Sequence, residues 1–303
     1  MQLTEPQRRT LEQLIGTGER PVFPGDVAQR LRDRIEEAVR GLELAEPLWV
    51  GKEKLNDQAR CEGTLAAKLL GEAQPFEHSR ASAAGVLQHR AIEVIVGSRD
   101  PVDPHTAAEL AATRTTDREE RFLEYWTGIQ QDERDDILME VVRRTILFEG
   151  SFPDLRDLRR QLAPASEVPI RAELLGGDLV LTGKVDLLLG VPDRLEPDRA
   201  TRMAIDLKTG SAYAEYVEDN RFYALLLALR FGVPPYRVAS FFLEGGTWQH
   251  EDVTEDVLFR AADRVVQTTR SAAALLAGRE PQLTPGPWCA WCPRAANCPS
   301  AQL

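Results

Sequence analysis

Residues 183–210 read GKVDLLLGVPDRLEPDRATRMAIDLKTG, and this stretch contains the two acidic residues from which the fold can be predicted. Asp186 interrupts the apolar run 185–189, and Asp206 follows the short apolar segment 203–205. Short apolar runs bounded by Gly, Pro and Asp are typical of buried strands. We therefore predict two neighbouring strands, each of which carries one carboxylate.

The chain on either side of this stretch predicts an α/β arrangement. Residues 168–189 predict a strand–turn–strand hairpin with its turn at Gly176-Gly177-Asp178. Spacing of apolar residues and Pro/Gly breaks predict the other elements: helices over about 4–45, 60–98, 104–148, 213–231 and 254–278, and strands near 236–244 and 247–252. We expect a mixed central sheet flanked by helices, with a helical N-terminal extension over 1–50 and the α/β domain over 51–303.

The two acidic residues and a nearby lysine form a pattern suited to a divalent cation. Residues i and i+2 of a strand point to the same face, so Asp206 and Lys208 share one. Carboxylates on neighbouring strands can bind Mg²⁺ or Mn²⁺, which activates water and stabilises charge on a phosphate, and a lysine adds positive charge. The alternative is that Asp186 and Asp206 are hydrogen-bonded strand residues and that Lys208 solvates a turn, since an isolated D-x-K triplet is common by chance.

Four cysteines form a second pattern. Three of them lie in the C-terminal segment PWCAWCPRAANCP, a C-x₂-C-x₅-C cluster at residues 289–298, and the fourth is Cys61. Four thiolates satisfy either a [4Fe–4S] cluster or a tetrahedral zinc ion, and the spacing alone does not decide between them. The alternative is a set of ordinary buried cysteines; disulfides are not expected in a chain without a secretory signal.

Composition and charge limit the class of function and the location. The 303 residues carry a net charge of −11, which argues against a protein that coats nucleic acid through bulk electrostatics. The negative net charge is still compatible with an enzyme that acts on nucleic acid, because a metal site needs carboxylates and a basic groove can be local. The N-terminus is polar from its second residue, and no apolar run approaches the roughly 20 residues that span a bilayer. We therefore expect a cytoplasmic protein without a membrane segment.

The motifs G-x-x-D at residues 183–186 and D-x-K-T-G at residues 206–210 resemble the RecB/AddB-type nuclease domain of the PD-(D/E)XK superfamily. They are similar also to the CRISPR-associated iron–sulfur exonucleases of that group. The resemblance covers roughly residues 50–303 and implies a restriction-endonuclease-like fold. It implies the following roles: metal ligation by Asp186, Asp206 and the carbonyl of Leu207, and catalysis by Asp186, Asp206 and Lys208.

The same resemblance implies a histidine ligand on an upstream helix, in a G-x-x-x-H setting. Residues 85–89 read GVLQH, so the implied ligand is His89. On its own, a helical histidine is more often an ordinary core or surface residue. The family also carries Q-x-x-x-Y after D-x-K, and here the Gln position is Asp219. Secondary candidates for the site, each of which has a plain structural alternative, are Glu93, Glu173, Asp219 and Tyr223.

The cysteine pattern also has a counterpart in that family. Relatives often combine one upstream cysteine with a terminal C-x₂-C-x₅-C and hold a [4Fe–4S] cluster that connects the two ends of the nuclease domain. The resemblance therefore implies an iron–sulfur closure, and its four ligands are Cys61, Cys289, Cys292 and Cys298.

Together these features predict a Mg²⁺- or Mn²⁺-dependent deoxyribonuclease, in particular an exonuclease, that acts on single-stranded DNA or duplex ends in repair, recombination or defence. One alternative is a non-catalytic iron–sulfur DNA-binding subunit of a larger helicase–nuclease or integration complex. Another is an iron–sulfur redox protein. The chain has no G-x-x-x-x-G-K-[ST] motif of its own, so any unwinding of DNA would have to come from a partner helicase.

Overall fold

A computed structural model describes residues 3–15, 19–210, 213 and 215–301 of the chain. Within them the centre of the molecule is a six-stranded mixed sheet. Its strands are β1 (Leu48–Val50), β2 (Ala165–Leu174), β3 (Leu179–Leu189), β4 (Met203–Lys208), β5 (Arg237–Phe242) and β6 (Thr247–Asp252). The predicted mixed α/β fold is confirmed.

The long strand β3 organises this sheet. It pairs antiparallel with β2 over most of its length, parallel with β1 at its first residues and antiparallel with β4 at its last residues. Beyond β4, the sheet continues with a parallel pairing to β5 and an antiparallel pairing of β5 with β6. Strand β3 is buried on both faces over its second half, which explains why its sequence there is a continuous apolar run around Asp186.

Helices flank the sheet. Their bounds are α1 (Glu5–Ile15), α2 (Val27–Val39), α3 (Lys52–Arg60), α4 (Glu62–Leu69), α5 (Arg80–Gly97), α6 (Pro104–Thr116), α7 (Glu120–Gly128), α8 (Gln131–Ser151), α9 (Arg159–Leu162), α10 (Glu215–Phe231) and α11 (Glu255–Leu276). The segment 222–229 of α10 is buried throughout because this helix packs on the sheet and also against α11. Helices α5 to α8 enclose a second, smaller apolar cluster beside the sheet.

The N-terminal helices pack onto the same core as the sheet. The apolar face of α2 is formed by Val27, Leu31, Ile35 and Val39, and all four are buried in the main hydrophobic cluster. Helix α1 packs against α8. The domain boundary predicted after residue 50 falls between β1 and α3, which follow one another directly.

Several element boundaries differ from the sequence-based expectation. The predicted hairpin is confirmed, but β2 begins at Ala165, three residues earlier than expected. The helical stretch expected over 60–98 consists of α4 and α5, which are separated by a loop over residues 70–79, and the stretch expected over 104–148 consists of α6, α7 and α8. Strand β1 and helix α3 had no counterpart in the prediction, and β1 is too short for its period to be read from sequence.

Among the described residues, none of the helices has the length and apolar character needed to cross a membrane.

Candidate functional site

Three possible metal ligands converge at the sheet. They are His89 from α5, Glu167 from β2 and Asp186 from β3, and each offers one ligand atom within 4.8 Å of the others. The Nδ1 atom of His89 lies 3.4 Å from an Asp186 carboxylate oxygen and 3.6 Å from one of Glu167. Nitrogen and carboxylate oxygen donors at this spacing suit a divalent cation.

Glu167 is the ligand candidate that the sequence analysis missed. The strand register pairs Ser166 with Leu187 and Val168 with Val185, so Glu167 lies across from Asp186. Two carboxylates directly opposite each other repel unless positive charge lies between them. Glu167 also has a φ of 53°, a conformation that is uncommon for a residue with a side chain and that often occurs at functional sites. The predicted hairpin started at Val168, so Glu167 lay outside it. The only signal of Glu167 in the sequence was an isolated acid just before the predicted strand.

Asp186 is held by its neighbours in the ionised form. Its second carboxylate oxygen accepts a hydrogen bond of 2.7 Å from the backbone N–H of Leu207. Burial works to raise the pKa of Asp186. The charge of His89 and the hydrogen bonds from His89 and the Leu207 backbone outweigh burial and hold the pKa below its ordinary range. The same bond places the Leu207 backbone beside Asp186, and metal ligation by the Leu207 carbonyl stays a prediction.

Asp206 lies between two lysines. Lys208, two residues further along β4, forms an ion pair with one carboxylate oxygen, and Lys52 at the start of α3 lies 3.8 Å from the other. Burial raises the pKa of Asp206, and the charge of nearby Asp186 raises it further, although both lysines oppose the shift. The Lys208 ammonium also lies 3.8 Å from the centre of the Tyr216 ring, in a cation–π contact. The site therefore contains one readily ionised and one reluctantly ionised carboxylate, and a bound cation would favour the charged form of both.

His89 is protonated in the absence of a cation. Burial alone would lower its pKa, but Asp186 and Glu167 outweigh that effect and raise the pKa to about 10. A metal ion and this proton would compete for the imidazole, because only the neutral ring can bind a metal.

Of the two glycines in the sequence motifs, Gly183 has a steric reason and Gly85 does not. A Cβ atom on Gly183 would lie 2.9 Å from a methyl group of Leu226 and 3.1 Å from the Tyr223 ring, so only glycine lets α10 pack this closely on β3. A Cβ on Gly85 would lie 4.0 Å from the Thr209 hydroxyl, which shows that the D-x-K-T-G segment passes beside α5 one turn before His89.

The structure separates the four secondary candidates. Glu93 forms an ion pair with Arg90, and Glu173 lies exposed on β2 and forms an ion pair with Arg171, so both pair with arginines rather than lining the cleft. Asp219 is buried and accepts a hydrogen bond of 2.9 Å from the Asn56 side chain. Tyr223 is buried against Gly183, and its ring centre lies 5.5 Å from the Lys52 ammonium.

An open cleft of about 610 Å³ is lined by His89, Glu167, Asp186, Asp206 and Lys208. It also contains basic side chains that the sequence analysis did not single out. They are Lys52, Arg90 and Lys184. Lys184 forms an ion pair with Glu167, and Arg90 lies 3.8 Å from the same carboxylate. No local pattern marks these residues, since each comes from a different element.

A second cavity, of about 490 Å³, is lined by all four cysteines. Cys61 lies at the junction of α3 and α4, and the other three lie in short 3₁₀ turns of the C-terminal tail. Backbone N–H groups point at two of the sulfurs: that of Thr284 lies 3.4 Å from Cys61 Sγ, and that of Gly286 lies 3.5 Å from Cys289 Sγ.

Charged contacts hold the tail against α4 beside this cavity. The carboxylate of Glu62 accepts hydrogen bonds from Arg279 at 2.8 Å and from the backbone N–H of Gln282 at 2.9 Å. These bonds, the Arg279 bond first, lower the pKa of Glu62 to about 2 against the opposing effect of burial. Arg294 in turn forms a two-pronged ion pair with Glu72.

The match of a family model agrees with this architecture. A family model described as the PD-(D/E)XK nuclease superfamily matches residues 53–299. A protein from Eubacterium rectale described as a candidate exonuclease is similar in structure, with 13% identity, a TM-score of 0.46 and coverage of 93% of this chain and 90% of that one. The protein SSO0001 is similar with 10% identity, a TM-score of 0.35 and coverage of 90% of this chain and 95% of that one. Among curated proteins, none matches the sequence.

Proposed function

The chain belongs to the PD-(D/E)XK nuclease superfamily, and from this premise we propose that it is a deoxyribonuclease that hydrolyses phosphodiester bonds with the help of Mg²⁺ or Mn²⁺. The observation that carries the proposal is the convergence of His89, Glu167 and Asp186 beside the Asp206–Lys208 ion pair in one open cleft.

The residues at this point fit a divalent cation. Two carboxylates face each other across β2 and β3, a histidine nitrogen lies next to both, and the pKa values of Asp186 and Asp206 are displaced in opposite directions. We assign His89, Glu167, Asp186, Asp206 and the Leu207 carbonyl as the residues that would hold it. Such a cation supplies an activated water and positive charge beside the scissile phosphate.

The chain's own groups then orient the reaction. The Leu207 N–H fixes one carboxylate oxygen of Asp186, which leaves the other directed at His89. Lys208 is held between the Asp206 carboxylate and the Tyr216 ring, with its ammonium in the cleft. From there it can donate a hydrogen bond to a phosphate oxygen or orient the attacking water.

DNA is the proposed substrate. The cleft combines acids with the basic side chains Lys52, Arg90, Lys184 and Lys208, which can contact a phosphate backbone although the whole chain is acidic. We propose exonuclease action on single strands or duplex ends, in repair, recombination or defence. A helicase or another DNA-processing protein is the proposed partner, and the cytoplasm is the proposed location.

We further propose that the four cysteines hold a [4Fe–4S] cluster. The convergence of all four on one cavity supports a shared inorganic centre. A tetrahedral zinc ion with Zn–S bonds of about 2.3 Å brings its sulfurs to roughly 3.8 Å from one another. In the described part of the chain, no three cysteine sulfurs all lie within 4.8 Å of one another, which favours the larger cluster. The cluster would serve as a cross-link between α3–α4 and the tail.

The test is a cleavage assay on labelled single-stranded and double-stranded DNA with anaerobically purified protein and Mg²⁺ or Mn²⁺. Wild-type protein is compared with Asp206→Ala and Lys208→Ala. A matched control is Glu173→Ala, which removes an exposed acid from the same strand as Glu167. We expect cleavage by wild type and the control, loss of cleavage in both site variants, and unchanged visible absorbance in all four proteins.

The absence of cleavage by cluster-loaded wild type with either metal would contradict the stand-alone nuclease. It would favour the alternative of a DNA-binding iron–sulfur subunit that acts within a larger complex. Cluster absorbance without binding or cleavage of DNA would favour a redox protein.

A further inference from the structure

A second lysine reaches the active-site cleft from an element outside the D-x-K segment. Lys52 is the first residue of α3, which begins directly after β1. The turn between them passes so close to β3 that a Cβ on Gly51 would lie 3.2 Å from the Thr182 carbonyl oxygen. The start of α3 is thereby fixed against the sheet, and the position of Lys52 is fixed with it.

The Lys52 ammonium lies near the Asp206 carboxylate oxygen that Lys208 does not pair with. Lys52 approaches one carboxylate oxygen at 3.8 Å, whereas Lys208 is ion-paired with the other. The Asp206 side chain is only 3% exposed, whereas that of Lys52 is 37% exposed and borders the cleft. Lys52 is therefore the more accessible of the two lysines, since the Lys208 side chain is 12% exposed.

The donors of Lys52 are not used up by the protein. An ammonium has three N–H groups. The separation of 3.8 Å from Asp206 is longer than the roughly 2.7–2.9 Å of a charge-assisted hydrogen bond, and the centre of the Tyr223 ring lies 5.5 Å from the ammonium. Because Lys52 lines the cleft and its side chain is 37% exposed, its ammonium can donate to an anionic strand there.

We propose that Lys52 is a substrate-binding residue that donates to a non-bridging phosphate oxygen of the DNA backbone, so that the strand is held between Lys52 and Lys208. This inference rests on the proposed nuclease function. The alternative role is that of a counter-ion, in which Lys52 only neutralises Asp206 and never touches DNA.

The helix itself supplies a matched control. Lys54 lies two positions further along α3, which at about 100° per residue places it on a different face of the helix. It is half-buried like Lys52 but lines a separate groove with Trp49 and Lys68. Removal of its charge changes the net charge of the protein by the same amount without altering the cleft.

The experiment measures the affinity of a fluorescently labelled single-stranded oligonucleotide for cluster-loaded protein over a range of NaCl concentrations, in EDTA so that no cleavage occurs. The variants are Lys52→Gln, Lys52→Arg and Lys54→Gln. We expect Lys52→Gln to weaken binding about tenfold near 0.1 M salt and to reduce the slope of log K against log salt by about 0.7, the value for one lost phosphate contact on a single strand. Lys52→Arg is expected to retain the slope, and Lys54→Gln to match wild type.

A wild-type affinity and slope in Lys52→Gln would overturn the proposal, and so would equal losses in Lys52→Gln and Lys54→Gln. A lower kcat or weaker Mn²⁺ binding in Lys52→Gln with unchanged DNA affinity would also overturn it, because that result identifies a counter-ion of Asp206. Cleavage is scored separately with Mn²⁺: wild type that binds DNA but does not cleave it contradicts the proposed function and leaves the salt slope to decide the role of Lys52.

Discussion

The active-site cleft and the cysteine cavity are built in opposite ways. The cleft collects His89, Glu167, Asp186 and Asp206 from α5 and three paired strands, and hydrogen bonds and ion pairs already hold them in place. The cysteine cavity instead joins Cys61 to a tail of short 3₁₀ turns, which has few bonds to the rest of the protein beyond those of Glu62 and Glu72.

This difference predicts a division of labour. A site preorganised by a sheet can lose one ligand and keep its shape, so damage there is expected to appear in activity. A cavity whose walls come from distant parts of the chain depends on the group that its cysteines share, so damage there is expected to appear in stability. The variants described next test whether damage to each site appears in activity or in stability.

The largest effect is expected for Asp186→Asn. The amide oxygen can still accept the hydrogen bond of the Leu207 N–H, so the fold should persist, but a charged ligand beside His89 is lost. We expect the rate of DNA cleavage to fall on the order of 10³-fold. Steady-state cleavage and thermal melting should be measured on the same preparation. A large drop in melting temperature would contradict the view that the cleft is preorganised.

The next effect is expected for Cys292→Ser. This cysteine is half-buried, so the exchange of sulfur for oxygen disturbs packing little and mainly removes a ligand. We expect loss of visible absorbance and a decrease in the free energy of unfolding of about 3–5 kcal/mol, by analogy with a cross-link that closes a long loop.

Denaturant unfolding under anaerobic conditions measures this effect. The control is Ser300→Ala, which changes a side chain of the same cavity without changing the thiols. Retention of full stability by Cys292→Ser would show that the tail is closed by its ion pairs alone.

Glu167→Gln tests the ligand found only in the structure. It keeps the shape of the side chain but removes the charge opposite Asp186. We expect Mn²⁺ affinity to fall about 10–100-fold, with the melting temperature near that of wild type. Calorimetric Mn²⁺ titration gives the affinity, and Glu173→Gln on the same strand is the control. An unchanged affinity would remove Glu167 from the ligand set.

Gly183→Ala is expected to lower both stability and activity, because it changes the packing beneath the cleft. The added methyl group would meet the Leu226 side chain at 2.9 Å and the Tyr223 ring at 3.1 Å, so these side chains or α10 as a whole must shift. We expect destabilisation of about 1–3 kcal/mol together with a loss of activity, since the Tyr223 ring centre lies 5.5 Å from the Lys52 ammonium. Gly128→Ala, at a position with open space around a Cβ, is the control. Equal stabilities of the two variants would show that the contact relaxes without cost.

The smallest effect is expected for Glu62→Gln and depends on pH. The pKa of Glu62 is lowered from 4.5 to about 2 in the folded protein, so its ionised form stabilises the fold. That contribution is complete above about pH 4.5 and disappears as the pH falls towards 2. The difference in melting temperature between wild type and Glu62→Gln should therefore shrink over this range. A difference that stays constant or grows on acidification would show that Arg279 and Gln282 do not favour the carboxylate.

Much of the fold and part of the site could be predicted from sequence because the decisive signals are local. An acid within an apolar run, a lysine two residues after another acid, and C-x₂-C spacing all depend on neighbours along the chain. They predicted β3, β4 and the mixed α/β fold, and they singled out Asp186 and Asp206 as ligand candidates and Lys208 as a catalytic one. The roles of these three side chains remain predictions, and the assays described above test them.

Only the tertiary structure decided which other residues share the cleft. Glu167 reaches it through the register of β2 on β3, and Lys52 through the close approach of β1 and α3 to that same strand. It also separated Glu93 and Glu173, which pair with arginines, from the acids of the cleft. The physical reason is that strand pairing and helix packing bring together residues far apart in sequence, and no periodicity along the chain records which ones will meet.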